Sequence, residues 1–192
     1  MRERPRPLAA SQDVFVLLVV ISGPIASGKT TLGRAVAREL AAVGNQAALV
    51  DLDLVYEMLD PSEGAKTDRG KWTRARRVAA RLTDVLFAEG LAVIVEGEFL
   101  TARERHEFDE ARETRVEPLF VTLRISFDLA LQRVQLDPRR GLSRDPRFLR
   151  GHYEATAATV RNAPRGDLVL DTGRLGIAEA AAIVAEWALQ RP

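Results

Sequence analysis

One short segment of the sequence carries the strongest chemical signal, a glycine-rich run that ends in a lysine and two hydroxyl side chains. Four residues separate Gly23 from Gly28, and Lys29, Thr30 and Thr31 follow directly. Glycines let a backbone bring its N–H groups close to phosphate oxygens, a lysine reaches the β- and γ-phosphates, and the next hydroxyl can ligate Mg²⁺. We therefore predict a phosphate-binding loop (P-loop) whose nucleotide contacts come from Gly23, Ala26, Ser27, Gly28, Lys29, Thr30 and Thr31.

Acidic side chains follow the next two predicted strands. Asp51 and Asp53 come at the end of the second predicted strand, and Glu96 follows the third. We expect Asp51 to share a magnesium ion with Thr30, and Asp53 to orient or deprotonate an acceptor hydroxyl, because a base must lie beside the nucleophile. Alternatively, both aspartates cap the next helix, where Asp is common. Glu96 is expected at the substrate site, although it could also serve the metal or activate water.

Arginines are concentrated after the fourth predicted strand. A Pro-, Gly- and Arg-rich loop at about 137–146 holds three of them, and Arg133 lies on the helix before it. We predict that this loop closes as a lid that excludes water, and that Arg133 and Arg140 stabilise charge on a transferring phosphoryl group. A solvated basic loop is the alternative.

Other basic side chains are candidates for ligand contacts. Arg69 and Arg77, between the second and third strands, are predicted to bind an anionic acceptor. Arg174, after the fifth strand, is predicted to lie against the nucleotide base. His106 and His152 lack metal-ligand spacing and are expected to be surface or structural residues.

The periodicity of apolar residues predicts the elements that position these side chains. Predicted strands cover 14–21, 47–50, 91–95, 119–125 and 168–170, and predicted helices cover 71–89, 102–114, 127–136, 147–162 and 177–190, with a further helix after the P-loop and a short one within 54–70. Strands that alternate with helices imply an α/β fold with a five-stranded parallel sheet and helices on both faces. This is a three-layer P-loop NTPase architecture of the nucleotide kinase-like type, in which ligands gather at the carboxyl ends of the strands.

Two helices have predicted apolar faces, and two others have predicted caps. The first helix is expected to bury Leu32, Val36, Leu40 and Val43 and to stop at Gly44. The helix at 71–89 is expected to bury Trp72, Val78, Leu82, Val85 and Leu86. Thr101 and Glu104 predict a capping box, and Ser126 predicts an N-cap.

The composition of the whole chain narrows the class of protein. Its 192 residues suit one α/β domain at 14–192, with 1–13 as a flexible tail. A net charge of +1 gives no reason to expect a nucleic-acid or membrane partner. The apolar run 14–21 is too short to span a bilayer. Because there are no cysteines, disulfides are excluded, which fits a cytoplasmic protein.

Together these segments resemble the P-loop small-molecule kinases, the group of shikimate, gluconate and adenylylsulfate kinases and chloramphenicol phosphotransferase. The resemblance covers nearly all of 14–190 and is carried by the segments 23–31, 51–53, 137–146 and 168–172. The chain is most similar to adenylylsulfate kinase in Asp68-Arg69, in Arg76-Arg77, in the lid sequence and in Tyr153-Glu154-Ala155. It departs at Tyr56, where that family has Arg. The resemblance therefore implies the fold and phosphoryl transfer, but not adenylylsulfate as the acceptor.

The resemblance and the site residues together predict a kinase that moves the γ-phosphate of ATP, with Mg²⁺, to a hydroxyl of a small molecule. The acceptor could be adenylylsulfate-like, a sugar acid or an antibiotic. In these kinases the second Asp of the pair commonly meets the acceptor hydroxyl, which agrees with Asp53. Two alternatives stay open: a kinase of nucleotides or nucleic-acid 5′ ends, and a regulatory NTPase or switch in which Glu96 activates water.

Overall fold

The structure, a computed structural model, describes residues 16–60 and 68–191 and is built on a five-stranded parallel sheet. The strands are β1 Leu18–Ser22, β2 Ala47–Asp51, β3 Ala92–Gly97, β4 Leu119–Arg124 and β5 Leu168–Asp171. They lie in the order β2-β3-β1-β4-β5. The predicted parallel sheet is confirmed. β1 starts at Leu18, later than the first residues of the strand predicted at 14–21. The predicted tail at 1–13 lies outside the described residues.

Seven helices of the described chain cover the sheet. They are α1 Lys29–Ala42, α2 Leu52–Leu59, α3 Arg69–Ala88, α4 Ala102–Asp109, α5 Phe127–Leu136, α6 Pro146–Arg161 and α7 Ile177–Leu189, and a 3-10 turn at Leu142–Arg144 lies between α5 and α6. One face of the sheet packs against α1 and α7, and the other packs against α2, α3 and α4. A smaller apolar cluster joins α5 and α6 to the P-loop. Within the described ranges, no helix has both the length and the apolar character needed to cross a membrane.

The strand register brings the predicted chemistry to one edge of the sheet. Glu96 on β3 pairs with Ile21 on β1 and with Asp51 on β2. Because all three strands run the same way, the segments that follow them emerge at the same edge. The P-loop and the Asp51–Glu96 carboxylates therefore meet there, as the sequence indicates.

The predicted caps are confirmed, but one predicted helix is too long. Thr101 and Glu104 form the capping box of α4, and Ser126 accepts from the backbone N–H of Leu129. The helix predicted at 102–114 ends at Asp109. Asp84 on α3 accepts the backbone N–H groups of Glu113 and Thr114 at 2.8 and 3.0 Å. These bonds replace helical ones, so the chain leaves the helix and turns toward β4.

Two residues of the predicted apolar faces are exposed. Val43 is 61% exposed because α1 has already ended and Gly44, at φ 88°, turns the chain away. Val85 is 59% exposed, since α3 buries a neighbouring stripe of small residues, Ala75, Ala79, Ala80 and Thr83, with Phe87. Small side chains let this helix approach the sheet closely.

Gly97, the last residue of β3, sets how closely α2 approaches the sheet. A Cβ built on Gly97 would lie 2.6 Å from Cβ of Leu52, the first residue of α2. Leu52 is fully buried and lies between Asp51 and Asp53. The absence of a side chain at Gly97 therefore lets the start of α2, and both aspartates with it, approach the end of β3.

We expect Gly97→Ala to destabilise the fold by about 1–3 kcal/mol, because the added methyl group overpacks against Leu52. Gly151→Ala on α6 is the matched control: its Cβ would meet nothing within 4 Å, and alanine is the better helix former. Chemical denaturation should show a lower midpoint for Gly97→Ala and an unchanged or higher one for Gly151→Ala. Equal midpoints for Gly97→Ala and the parent protein would contradict the packing argument.

Candidate active site

Three connected cavities meet at the P-loop. The central cavity, of about 100 Å³, is lined by Ile25, Ala26, Gly28, Lys29, Thr30, Thr31, Asp51, Asp53, Glu96, Gly97 and Arg140. A second, of about 220 Å³, is lined by Ala26, Ser27, Gly28, Thr31, Arg133, Arg140, Thr172, Leu175, Ile177 and Ala180. A third, of about 630 Å³, extends between α2, α3, the end of β3, the loop after α5 and α6. We call them the phosphate cavity, the side cavity and the large cavity.

The carbonyl groups of the P-loop are held by side chains from distant parts of the chain. The carbonyl oxygens of Ile25, Ala26 and Ser27 accept hydrogen bonds from Tyr153 Oη at 2.8 Å, Arg133 Nη1 at 3.1 Å and Thr172 Oγ1 at 2.8 Å. In a trans peptide, the N–H group points opposite to the carbonyl. The N–H of Ser27 donates to the carbonyl oxygen of Pro24 at 3.2 Å. Anchoring the carbonyls outward therefore suits the N–H groups of Ala26 and Gly28 to face an anion on the concave side of the loop.

Ala26 takes an unusual conformation within this loop. Its φ is 63°, in the left-handed region, which costs a non-glycine residue about 1–2 kcal/mol. The Ala26 side chain is buried against Ala130, Val134 and Leu149 of α5 and α6. This packing and the bond from Arg133 offset the strain.

His152 and Tyr153 were not predicted to contact the P-loop. His152 Nε2 accepts the backbone N–H of Ile25 at 3.2 Å, and burial lowers the pKa of His152 to about 4, so the ring is neutral near pH 7. Burial raises the pKa of Tyr153, which keeps its hydroxyl protonated and able to donate to Ile25. Both residues lie on α6, more than 120 residues from the loop, and no local sequence pattern signals the contact.

Lys29 lies at the start of α1, half-buried between the loop and the carboxylates. Its Nζ donates to the carbonyl oxygens of Gly23 at 2.8 Å and Pro24 at 3.2 Å. Burial lowers the pKa of Lys29, while the carboxylates of Asp53, Glu98 and Glu96 act in the opposite direction. An ammonium group in this position can reach a phosphate group in the phosphate cavity.

Asp51 and Asp53 both line the phosphate cavity, although they differ in backbone role. Asp51 ends β2 and caps α2, because its Oδ1 accepts from the backbone N–H of Asp53 at 2.8 Å. Asp53 lies in the first turn of α2 and is exposed. The capping alternative is therefore realised for Asp51, and its carboxylate still borders the cavity.

Glu96 is the most deeply buried carboxyl of this cavity, at 2% exposed. Burial raises its pKa to about 7, against a hydrogen bond from Thr30 that lowers it. Its Oε1 is buried without a hydrogen-bond partner among the described residues. Burial and the nearby Glu104 also raise the pKa of Glu98, whose side chain lines the large cavity.

The predicted arginines do not all reach these cavities. Arg133 lines the side cavity, and Arg140 lines all three. Arg174 is 87% exposed, is paired with Asp171 at 3.4 Å and is absent from the lining of the side cavity. Arg69 and Arg77 are exposed on α3 and line none of the three cavities. His106 is a surface residue near Glu110, as expected.

We expect Tyr153→Phe to weaken nucleotide binding about fivefold to tenfold, because the Ile25 carbonyl loses its donor and the loop relaxes. Thr159→Val, which removes a half-buried hydroxyl from the same helix, is the control. Titration calorimetry with an ATP analogue should separate the two variants. A Tyr153→Phe affinity equal to that of the parent would show that the bond does not hold the loop.

The buried Glu96 carboxyl makes the stability of the protein depend on pH. The pKa of the Glu96 carboxyl rises from 4.5 to about 7 on folding. Its contribution to the free energy of unfolding is therefore fully present below pH 4.5 and is lost as pH rises through 7, a change of about 3 kcal/mol. Glu96→Gln should therefore be more stable than the parent at pH 8, with the difference disappearing near pH 4.5. Denaturation of both proteins in EDTA without nucleotide measures this. A stability difference that does not change with pH would contradict the assignment.

Comparison with solved structures shows the same fold. The chain is similar to the APS kinase of Mycobacterium tuberculosis, solved with AMPPNP and APS (20% identity, 92% of this chain and 98% of that chain, TM-score 0.68). It is also similar to a sugar kinase from Janibacter (18%, 90% and 94%, TM-score 0.65) and a gluconokinase from Sinorhizobium meliloti (22%, 91% and 95%, TM-score 0.59). At the level of the fold, the resemblance to P-loop small-molecule kinases is confirmed.

Comparison of sequences assigns the family. No curated protein sequence matches the chain. Residues 18–146, which include the P-loop, both aspartates, Glu96 and the whole loop after α5, match the sequence model of the AAA_33 family, described as an AAA domain. The match covers well over half of the chain, and the protein belongs to this family of AAA domains.

Proposed function

We propose that the protein is a kinase that transfers the γ-phosphate of ATP, with Mg²⁺, to a hydroxyl group of a small molecule. One observation carries the proposal: the phosphate cavity shares lining residues with each of two larger cavities. Lys29, Asp53 and Arg140 line both the phosphate cavity and the large cavity. Such an arrangement suits transfer between two ligands, one in each larger cavity, whose reacting groups meet in the phosphate cavity.

The side cavity suits the nucleoside part of ATP. It continues from Gly28 and Thr31 to an apolar wall of Leu175, Ile177 and Ala180. Apolar side chains there can cover the base, while the helix N-terminus and the anchored loop face the phosphates. The structural neighbour with AMPPNP is consistent with a nucleoside triphosphate as the donor.

The oxygen groups near Thr30 fit magnesium. Thr30, Asp51 and Glu96 offer hard oxygen ligands, and the unpartnered Oε1 of Glu96 is available to a water of the ion's shell. Within the described part of the chain, no three His, Cys, Asp or Glu side chains could hold a metal ion by themselves. The phosphates would therefore supply the remaining ligands, as is usual for Mg²⁺. When bound, the ion neutralises charge on the β- and γ-phosphates.

The protein's own side chains account for the transfer step. Asp53 accepts the proton of the acceptor hydroxyl while the hydroxyl oxygen forms a bond to the γ-phosphorus. The bond between the γ-phosphorus and the oxygen that bridges it to the β-phosphorus breaks, and ADP leaves. Lys29 holds the β- and γ-phosphates. Arg140, which lines the phosphate cavity, would stabilise the charge that develops on the transferred group, and Arg133 supports the loop that would bind the phosphates.

The Arg-rich loop between α5 and α6 would act as the lid. Its Arg140 lines all three cavities, and Arg139, Leu142 and Ser143 line the large one. A lid over the transferring group excludes water, which favours transfer over hydrolysis. Asp137 pairs with both Arg139 and Arg140, at 3.0 and 3.5 Å, and links the two arginines at the start of the loop.

The test is transfer of labelled γ-phosphate from ATP with Mg²⁺ to a panel of hydroxylated small molecules, nucleotides and a 5′-hydroxyl oligonucleotide. We expect a labelled small-molecule product that disappears in Lys29→Ala. We expect Asp53→Asn to lower transfer about 10²–10⁴-fold, because the base is lost, with ATP affinity nearly unchanged.

Asp128→Asn, which alters an exposed aspartate in the first turn of α5, is the matched control and should transfer normally. Full transfer by Asp53→Asn would remove Asp53 from the mechanism. Phosphate release that depends on Lys29 but on no acceptor would instead favour the NTPase or switch, and a labelled oligonucleotide would favour a nucleic-acid kinase.

A further inference from the structure

The wall of the large cavity shows which chemical class of acceptor it suits. Its volume of about 630 Å³ is that of a site for a drug-sized molecule. Leu54, Trp72, Leu142 and Phe148 line it, and three of them are unusually exposed for large apolar side chains: Leu54 by 57%, Leu142 by 48% and Phe148 by 38%. A ligand with an apolar face would cover these side chains.

The charged groups of the cavity are unevenly distributed. On the acceptor side, carboxyl groups come from Glu98, directly after β3, from Asp51 at the end of β2, and from Asp53 and Glu57 on α2. Among the described residues that line the cavity, the lysine and arginine side chains are Lys29, Arg139 and Arg140. All three belong to the P-loop or the Arg-rich loop, the parts that would hold the transferring phosphate.

The arginines of α3 add no unpaired positive charge to the acceptor side of the large cavity. Arg76 contacts the wall, since its Nη2 donates to the backbone oxygen of Glu98 at 3.5 Å. Its guanidinium is buried, however, and is paired with Glu104 at 3.1 Å and Glu107 at 3.0 Å. Arg69 and Arg77 lie on the exposed side of the helix, outside the cavity. An acceptor anion would therefore lie against carboxyl groups without an arginine from α3.

We propose that the acceptor is an uncharged or positively charged hydroxyl compound with an apolar face, and not a carboxylate, sulfate or phosphate ester. The proposal rests on the kinase function proposed above and specifies its substrate class. It replaces the expectation that Arg69 and Arg77 bind an anionic acceptor. Neutral hydroxyl compounds can approach Asp53 without repulsion, and a cationic group gains attraction from Glu98.

The experiment compares structurally matched molecules that differ in charge but keep the same hydroxyl groups. Shikimate is compared with its methyl ester, and 4-carboxyphenyl glucoside with its 4-carbamoyl and 4-aminomethyl counterparts. Binding in the presence of MgADP and kcat/KM for transfer from ATP are both measured, together with binding of gluconate and adenylylsulfate. We expect the neutral and cationic members to exceed the carboxylates by at least about tenfold.

Two substitutions of Glu98 test whether its carboxyl group sets the preference for neutral and cationic acceptors over anionic ones. Glu98→Arg should raise the affinity for shikimate, gluconate and adenylylsulfate at least about tenfold, and Glu98→Gln should reduce the advantage of the aminomethyl glucoside. Glu117→Arg makes the same charge change at an exposed position outside the cavity and should change neither.

The outcomes separate this proposal from the kinase function. Tighter binding or faster transfer of the anionic members by the parent protein overturns the proposed acceptor class and leaves the kinase function standing. Equal anion affinity in Glu98→Arg and Glu117→Arg also overturns it. Transfer to no member of the set, with phosphate release that depends on Lys29, counts against the kinase function itself.

Discussion

The shape of the P-loop depends on hydrogen bonds that its carbonyl groups receive from later parts of the chain. Tyr153 on α6, Arg133 on α5 and Thr172 after β5 donate to three consecutive carbonyl oxygens, across separations of 107 to 145 residues. The loop therefore reaches its conformation only when the second half of the sheet and its helices have formed. This dependence explains how Ala26 keeps a left-handed conformation that glycine would adopt more readily. It also couples the phosphate site to the two helices that flank the Arg-rich loop.

Fixing the loop at the end of β1 has an electrostatic consequence. It places Lys29 near the carboxylates of Glu96, Glu98 and Asp53, and burial disfavours the charged forms of the lysine and of both glutamates. Burial lowers the pKa of the lysine and raises the pKa values of both glutamates, while their mutual attraction opposes these shifts. A ligand that brings charges of both signs, such as a polyphosphate with a divalent cation, compensates both kinds of buried group at once. The edge of the sheet is therefore suited to such a ligand before any contact with an acceptor is considered.

The elements that the sequence predicts well are those whose signals are local. The strands follow from short apolar runs, and α5 matches its predicted bounds because Ser126 caps it within the same segment. The predicted end of α4 is wrong because Asp84, 29 residues earlier in the chain, accepts a hydrogen bond from the backbone N–H of Glu113. The contact between His152 and Ile25 has no spacing signal at all, since it joins residues 127 positions apart. Glycine spacing locates the P-loop, but the donors that hold the loop can be identified only from the tertiary structure.

The arginines of α3 show why the chemistry of an acceptor site is harder to predict than that of a phosphate site. Arg76 and Arg77 are adjacent and chemically identical, yet the 100° step of a helix turns Arg76 inward and Arg77 toward solvent. The inward residue is then neutralised by Glu104 and Glu107, which come from a different helix. Because the phosphate site is made largely of consecutive backbone groups, its spacing appears in the sequence. The charge that the wall of the large cavity presents to an acceptor depends on which side chains are paired across helices. Neither the number of arginines nor their spacing determines this charge.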